Sequence, residues 1–354
     1  MKDRKAVVRF GSRSAVRLTD LAQLVRAPAA LSVPGDVIAG ATAAGRPLGA
    51  RTFGVIGPSV CLYWAGMALN DYADATVDSV ERPERPVPSG RIPRRTALAV
   101  AGGLTAAGLG LAAVAGGRRS VGAALPLAGL IWAYDLKLKS TSARGVVMAG
   151  ARVLDVLAGA VVPGAGAESV GVALRRAAVP AGLVGVHTGT LMALSRHEIG
   201  GAPVRVPVGT LAVSAAAAIA TAVPVARVAT GSAEKGRQAS AAPLGLVAPR
   251  GGAAIRHSPA PLRGVAVAAR SDGLRTAVTT AGALAYLGSY GAAQVRAVQK
   301  PSAENVRRAV GAGIIGLMPL QAALTARAGA PAVAAALGVV HPLARRRARR
   351  ISPT

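Results

Sequence analysis

At 354 residues the chain is long enough for two soluble domains, but a composition 52% hydrophobic and only 16% charged does not suit a water-facing surface. A formal charge of +27 would fit a nucleic-acid binder, yet the Arg residues cluster between apolar segments and aromatic side chains, needed for base stacking, make up only 3%. The single Cys61, in an apolar run, excludes a disulfide framework and a cysteine metal site.

Met1 to Arg17 is basic and is not followed by a small-residue cleavage site, so it reads as a cytoplasmic lead-in to a first helix. Membrane spans are expected near Leu21 to Ala44, Thr52 to Ala73, Thr96 to Ala115, Val121 to Tyr134 and Val146 to Gly164. Further spans are expected near Ala178 to Ser195, Pro207 to Val228 and Val310 to Ala328, with Ala277 to Val295 and Pro331 to Leu343 as weaker candidates. A span needs about 20 residues to cross roughly 30 Å of hydrocarbon, which gives about nine in all. The fold class is therefore all-α, a polytopic transmembrane bundle forming a single domain over residues 1–354. Ala, Gly and Val supply most of the apolar residues, and small side chains let membrane helices approach closely.

Loop charge sets orientation. Asp74 to Arg95, Asp135 to Arg144 and Ser195 to Arg205 should share one face, the cytoplasmic one given the basic start. The terminal Arg345, Arg346, Arg347, Arg349 and Arg350 would prefer the same side, which conflicts with an odd number of spans. Gly231 to Arg270 is rich in Gly, Pro, Ala and Arg without periodicity, and reads as an insertion or loop.

The chemistry concentrates after the second span. Asp71, Asp74 and Asp78 stand at relative positions 0, 3 and 7, within roughly 60° of one helical face, and hard carboxylate oxygens suit Mg²⁺. Asn70 adds a neutral oxygen at the edge of that face. The bland alternative is a solvated acidic helix end paired with neighbouring arginines. Directly downstream, Glu81-Arg82-Pro83-Glu84-Arg85-Pro86-Val87-Pro88-Ser89-Gly90-Arg91 is a proline-stiffened loop that carries guanidinium groups back toward the acids. Carboxylates and guanidiniums together describe a metal-diphosphate site, with Arg85 and Arg91 as candidate phosphate ligands. On the next loop Tyr134, Lys137 and Lys139 offer a phenol and two ammonium groups, which could equally be ordinary positive-inside charge.

N-D-x-x-D-x-x-x-D followed by R-P-x-x-R-P-x-P-S-G-R resembles the UbiA superfamily of intramembrane prenyltransferases, and Tyr134 to Lys139 resembles that family's Y-x-x-K-x-K stretch. The likeness extends loosely from about Val25 to Arg205. It implies an all-helical bundle around a central cavity open to lipid, an isoprenyl diphosphate donor and a lipophilic acceptor. It also implies Mg²⁺ held by Asp71, Asp74 and Asp78, with no nucleic acid and no obligate protein partner. The departure is the second acidic motif: where the family presents D-x-x-x-D, this chain has Leu194-Ser195-Arg196-His197-Glu198. That loop resembles the Ebo-type UbiA-like bacterial branch. Glu198 is its only acid, and Arg196 could neutralise diphosphate in place of a second metal.

Asp36 and Asp155 lie within apolar runs, where ionisable groups are functional candidates because burying them is costly. Arg152 and Asp155 stand three apart on a helix, so an internal ion pair competes with a role for Asp155 in binding substrate. Trp64 and Met67 precede Asp71 on the same helical face and could line a channel or pack against a neighbour. His187 and Thr188 read as packing residues.

These readings combine into a transferase, with Asp71, Asp74 and Lys139 as its catalytic residues. Asn70, Arg85, Arg91, Tyr134, Lys137, Asp155, Arg196 and Glu198 would contact substrate. A transporter or flippase is the rival reading of intramembrane charge, and a UbiA-like protein that binds lipid with weakened catalysis is another.

Overall fold

The computed structural model describes residues 16–163, 169–223 and 262–339. The first fifteen residues, most of the expected insertion and the terminal arginine run lie outside the described residues. All regular structure among the described residues is helical, and from Leu262 onward the end of the expected insertion is helix.

The first expected span is broken into three pieces. Helix α1 (Leu18–Leu24) stops short, Arg26 turns into the left-handed region at φ 46°, a 3₁₀ segment covers Ala27–Ser32, and α2 (Val33–Ala43) follows with proline in its first turn. Proline lacks an amide hydrogen, so Pro34 suits the start of a new helix better than the continuation of an old one. At 1.5 Å per residue α2 measures about 16 Å, too short to cross hydrocarbon alone. Nearly all of it is buried.

Helix α3 (Ala50–Ala73) leads to the acidic motif, and the short α4 (Ala75–Glu81) continues beyond it. Helix α5 (Arg94–Leu136) is 43 residues long, and Gly117 inside it has φ 60° and ψ −149°, a backbone conformation foreign to a helix. Trp132 Nε1 donates to Thr105 Oγ1 at 3.0 Å, although 27 residues separate them. On a straight helix that separation would be about 40 Å. The chain therefore folds back at Gly117 into two legs, matching the two spans expected at Thr96 to Ala115 and Val121 to Tyr134, and α5 packs along α3.

Helices α6 (Arg144–Ala160), α7 (Val170–Ser195), α8 (Arg205–Ala222), α9 (Leu262–Tyr286), α10 (Ala292–Gln299) and α11 (Ala303–Arg327) complete the bundle. Central α2 packs against α3, α6, α7 and α11. Backbone contact makes this possible: a Cβ at Gly40 would lie 1.7 Å from the Val156 carbonyl oxygen, and one at Gly159 would lie 2.0 Å from that of Val37. Large apolar side chains such as Leu125, Val179, Ile219 and Ile314 point outward, as a lipid-facing surface requires.

Among the described residues five helices are long and apolar enough to span a membrane, α3, α5, α7, α8 and α11. The expectation of about nine spans is not confirmed by these criteria. Helix α2 is too short, α6 has 17 residues and carries Arg144, Arg152 and Asp155, and two of the expected spans share α5.

Candidate active site

The acids sit where α3 meets α4. Asp74 ends one helix and begins the next with φ −89° and ψ 3°, so the three carboxylates do not share one uninterrupted helical face. Asp71 and Asp78, 2% and 1% exposed, turn toward each other around Arg85, whose Nη1 is 2.5 Å from Asp78 Oδ2 and 3.6 Å from Asp71 Oδ1. Arg26 Nη2 approaches Asp71 Oδ1 at 3.2 Å, and Arg82 Nη1 lies 3.7 Å from Asp78 Oδ1. Asp74 turns the other way, with Oδ1 2.6 Å from Lys139 Nζ. Asn70 Nδ2 donates both to Asp74 Oδ2 at 3.0 Å and to Asp135 Oδ1 at 3.3 Å, tying α3 to the end of α5.

The proline-rich loop reaches the acids because it is pinned from below. Val87 and Ile92 are buried against Leu24, Leu69 and Ala97, Gly90 supplies the positive φ of 75° that its turn requires, and Ser89 Oγ donates to the Arg85 carbonyl at 2.6 Å. Arg91 has a different place from the one expected. Its Nη1 pairs with Asp20 at 2.7 Å and Gln23 at 2.6 Å, while Nη2 donates to the Glu84 carbonyl at 2.7 Å. It clamps the loop to α1 and has no contact with Asp71, Asp74 or Asp78.

Two groups join the site that the motif alone did not single out. Arg26 owes its reach to the left-handed turn after α1, and Asp135 is buried beside Tyr134 within a motif whose lysines drew attention first. The one sign available was a charge inside or beside an apolar run. Lys137 caps α5 without a contact to the acids.

Below the acids lies a cavity of about 240 Å³ between α3, the second leg of α5 and α6. Arg26, Asn70, Tyr134 and Asp135 line its mouth, and Tyr63, Met67, Leu127 and Ile131 its walls. Met67 thus faces the cavity, whereas Trp64 does not line it. At the floor are Ser59, Arg152 and Asp155. Arg152 does not pair within its own helix as spacing allowed; its Nη2 reaches across to Asp36 Oδ2 on α2 at 2.7 Å.

The loop after α7 stands apart. Arg196 Nη2 donates to the Ser142 carbonyl at 3.0 Å and lines a separate groove between α6 and α7 with Met192, His197 and Val206. It does not join the acidic cluster. Burial pushes the Glu198 carboxyl above its ordinary value, against the pull of Arg82 and Arg307. Arg82, one of the two arginines that pull on Glu198, also lies 3.7 Å from Asp78 Oδ1. His187 is a buried packing residue, with its ring nitrogens at 3.0 Å from Tyr286 Oη and 3.1 Å from the Gly313 carbonyl.

Whether these residues suit Mg²⁺ can be judged from their charges. Asp71, Asp74, Asp78 and Asp135 face Arg26, Arg82, Arg85 and Lys139, so the cluster is balanced as it stands. A diphosphate brought to this mouth adds several negative charges, which a divalent cation would offset. Among the described residues no three acids come close enough to form a cage by themselves. Mg²⁺ commonly uses one or two carboxylates and completes its shell with substrate phosphates and water, and the pairs here fit that pattern. Asp71 and Asp78 flank Arg85 on one side, while Asp74, where α3 gives way to α4, turns to Lys139 on the other.

Known proteins resemble this chain in sequence and in fold. The model of the UbiA prenyltransferase family matches residues 32–248. Digeranylgeranylglyceryl phosphate synthase of Methanopyrus kandleri is 41% identical over 116 residues, 33% of this chain and 41% of the relative. The synthases of the same name from Methanoregula boonei and Ignicoccus hospitalis are 44% identical over 77 residues and 37% identical over 123 residues, covering 22% and 35% of this chain. The chain spans 41%, 27% and 40% of the lengths of these three relatives. Among solved structures, a UbiA homologue from Aeropyrum pernix K1 aligns with TM-score 0.55 at 15% identity, over 88% of this chain and 97% of its own. A structure of digeranylgeranylglyceryl phosphate synthase aligns with TM-score 0.53 at 14% identity, over 88% and 98%. At such identities these structures speak for the fold.

Proposed function

The chain belongs to the UbiA prenyltransferase family, and on that premise we propose that it is an intramembrane transferase that moves an isoprenyl group from an isoprenyl diphosphate to a lipophilic acceptor. The observation that carries this reading is the stacking of a charge-balanced cluster directly over an apolar cavity inside a helical bundle. A water-soluble diphosphate and a water-insoluble tail require that combination. The acid-bearing loops are read as cytoplasmic and the protein as a multi-pass protein of the cell membrane.

In this reading Arg26, Arg85 and Lys139 each leave a carboxylate to take diphosphate oxygens, and a guanidinium can do so with two parallel hydrogen bonds. Asp71 with Asp78, and Asp74 beside Asn70, would hold Mg²⁺, which when bound supplies positive charge against the leaving diphosphate. Charge stabilisation of the leaving group is the dominant contribution expected here. As the allylic carbon–oxygen bond loosens, the aromatic faces of Tyr134 and Tyr63 favour the carbocation-like centre, and the apolar walls keep water from intercepting it. The acceptor nucleophile then forms the new bond to that carbon and gives up its proton to the released diphosphate, which departs through the charged mouth.

The test is direct. Purified protein in lipid with Mg²⁺ and a panel of isoprenyl diphosphates, with and without membrane extract, should release diphosphate together with a prenylated product. Substrate flux into proteoliposomes without diphosphate release would instead show a transporter, and donor binding without release a lipid-binding protein.

A further inference from the structure

The cavity has two polar ends, and the mechanism above uses only the upper one. On α3, Ser59 lies twelve residues from Asp71, about 18 Å along the axis, and on α6 Asp155 lies eleven residues, about 16 Å, below Arg144. Ser59, Arg152 and Asp155 thus form a polar floor at membrane depth, about three helical turns below any site for diphosphate.

That floor is incomplete. Asp155 is 5% exposed and lines the cavity, yet its Oδ1 has no hydrogen-bond partner. Asp155 feels the charge of Arg152 and is hydrogen-bonded to the Ser59 hydroxyl and the Asp36 carboxyl. Arg152 cannot serve an incoming anion freely, because it lies 2.7 Å from Asp36, which is fully buried and also accepts from Gln321 Nε2 at 2.7 Å. Two carboxyl groups against one guanidinium leave no spare positive charge. The floor thus holds an unpartnered acceptor, Asp155 Oδ1, beside Arg152 Nη2, which is ion-paired with Asp36 but makes no hydrogen bond, so it suits a neutral group that both donates and accepts, as a hydroxyl does. A methyl terminus there would leave the Asp155 oxygen bare, and a carboxylate or phosphate would meet like charge in a low dielectric.

We propose that Ser59, Arg152 and Asp155 form a distinct subsite that binds the hydroxyl end of an uncharged lipophilic acceptor and rejects acceptors that carry a carboxylate or phosphate at that end. The depth of the floor makes this hydroxyl the end remote from bond formation, so the acceptor has two functional ends, one anchored and one reacting. Calling the ligand an acceptor rests on the transferase reading; the subsite itself does not.

The experiment therefore omits donor and metal. The full chain in nanodiscs with EDTA is titrated with dodecane, dodecan-1-ol and dodecanoate at equal mole fractions in the bilayer, and the thermal unfolding midpoint is followed. Dodecan-1-ol should bind at least about tenfold more tightly than either of the others, the factor expected for satisfying one buried acceptor. Asp155→Leu should reverse the order in favour of dodecane. If that variant does not fold, Asp155→Asn, nearly the same shape, should narrow the gap between dodecan-1-ol and dodecanoate. Equal binding of all three probes, which is what a floor holding water only would give, overturns the proposal, as does an unchanged order in Asp155→Asn. Should the wild-type chain order the probes as stated but release no diphosphate from any isoprenyl donor, the transferase reading falls and the subsite stands.

Discussion

Arg85 and Asp78 are joined by a 2.5 Å ion pair, and the same guanidinium nitrogen lies 3.6 Å from Asp71, so an arginine of the chain occupies the gap between two of the carboxylates proposed to hold metal. This relationship sets a competition between a fixed cation and a mobile one. Arg85→Gln removes the competitor, and the variant should bind Mg²⁺ or Mn²⁺ more tightly than wild type in the absence of donor. Turnover should nonetheless fall, by about 10²-fold or more, because a donor of positive charge to the leaving group is lost. Calorimetric titration with Mn²⁺ and a diphosphate-release assay check the two halves separately; weaker metal binding in the variant would show that Arg85 organises the carboxylates instead of competing for them.

Asp71→Asn and Asp74→Asn should each lower turnover by about 10²- to 10³-fold, the effect typical of removing one group that stabilises developing charge. Chelation of divalent ions should do the same to wild type. Circular dichroism and membrane fractionation should show both variants inserted and helical. If either variant keeps near-normal diphosphate release, its carboxylate has no part in holding metal or donor.

The density of charge around Asp71 made this region legible in the sequence, since a solvated helix end seldom sets acids, prolines and arginines at such short spacing. Arg91 shows where that reasoning stops. It belongs to the same motif as Arg85, but its partners Asp20 and Gln23 lie about 70 residues away in the chain, and no local pattern announces a contact across that distance. Arg26 carries no local signal for the opposite reason: it is a lone charge whose reach depends on a left-handed turn. The break of the first span was foreshadowed only by Pro34, and the fold-back of α5 at Gly117 was visible as two apolar stretches separated by Arg118 and Arg119. Arg91→Ala is accordingly expected to loosen the loop, raising KM for the donor several-fold while leaving the dependence on Mg²⁺ concentration unchanged. A shift in metal dependence would place Arg91 in the site after all.

Glu198 gives a pH-dependent prediction. Its carboxyl is raised above the ordinary value of 4.5 by burial, more than Arg82 and Arg307 offset. The folded state therefore favours the protonated form relative to the unfolded chain, and the associated stability is present at low pH and lost as pH rises through the folded-state value. Glu198→Gln should be at least as heat-stable as wild type at pH 7 to 8, the difference shrinking to nothing below the ordinary carboxylate range. The effect should be small because the side chain is part-exposed and solvent-screened. Thermal unfolding of both proteins across pH decides it, and a variant less stable at pH 8 would mean that the charged carboxylate is held by its arginines more strongly than burial opposes it.

The floor of the cavity exists only because α2 and α6 touch backbone to backbone, which is what lets Arg152 on one reach Asp36 on the other. Gly40→Ala would place a methyl group 1.7 Å from the Val156 carbonyl oxygen, and Gly159→Ala one 2.0 Å from that of Val37, neither of which a flexible side chain can relieve. Forcing helices apart in a packed interior costs typically about 1–3 kcal/mol and sometimes more. Here the separation also pulls a guanidinium from a buried carboxylate, and breaking such a pair is worth about 3–5 kcal/mol. Both variants should therefore unfold at markedly lower temperature or denaturant than wild type in detergent. Gly102→Ala on α5, where an added methyl meets nothing within 4 Å, serves as the control and should be neutral or slightly stabilising. If Gly40→Ala matched that control, α2 and α6 could not be in backbone contact, and Arg152 could no longer neutralise Asp36 across the gap.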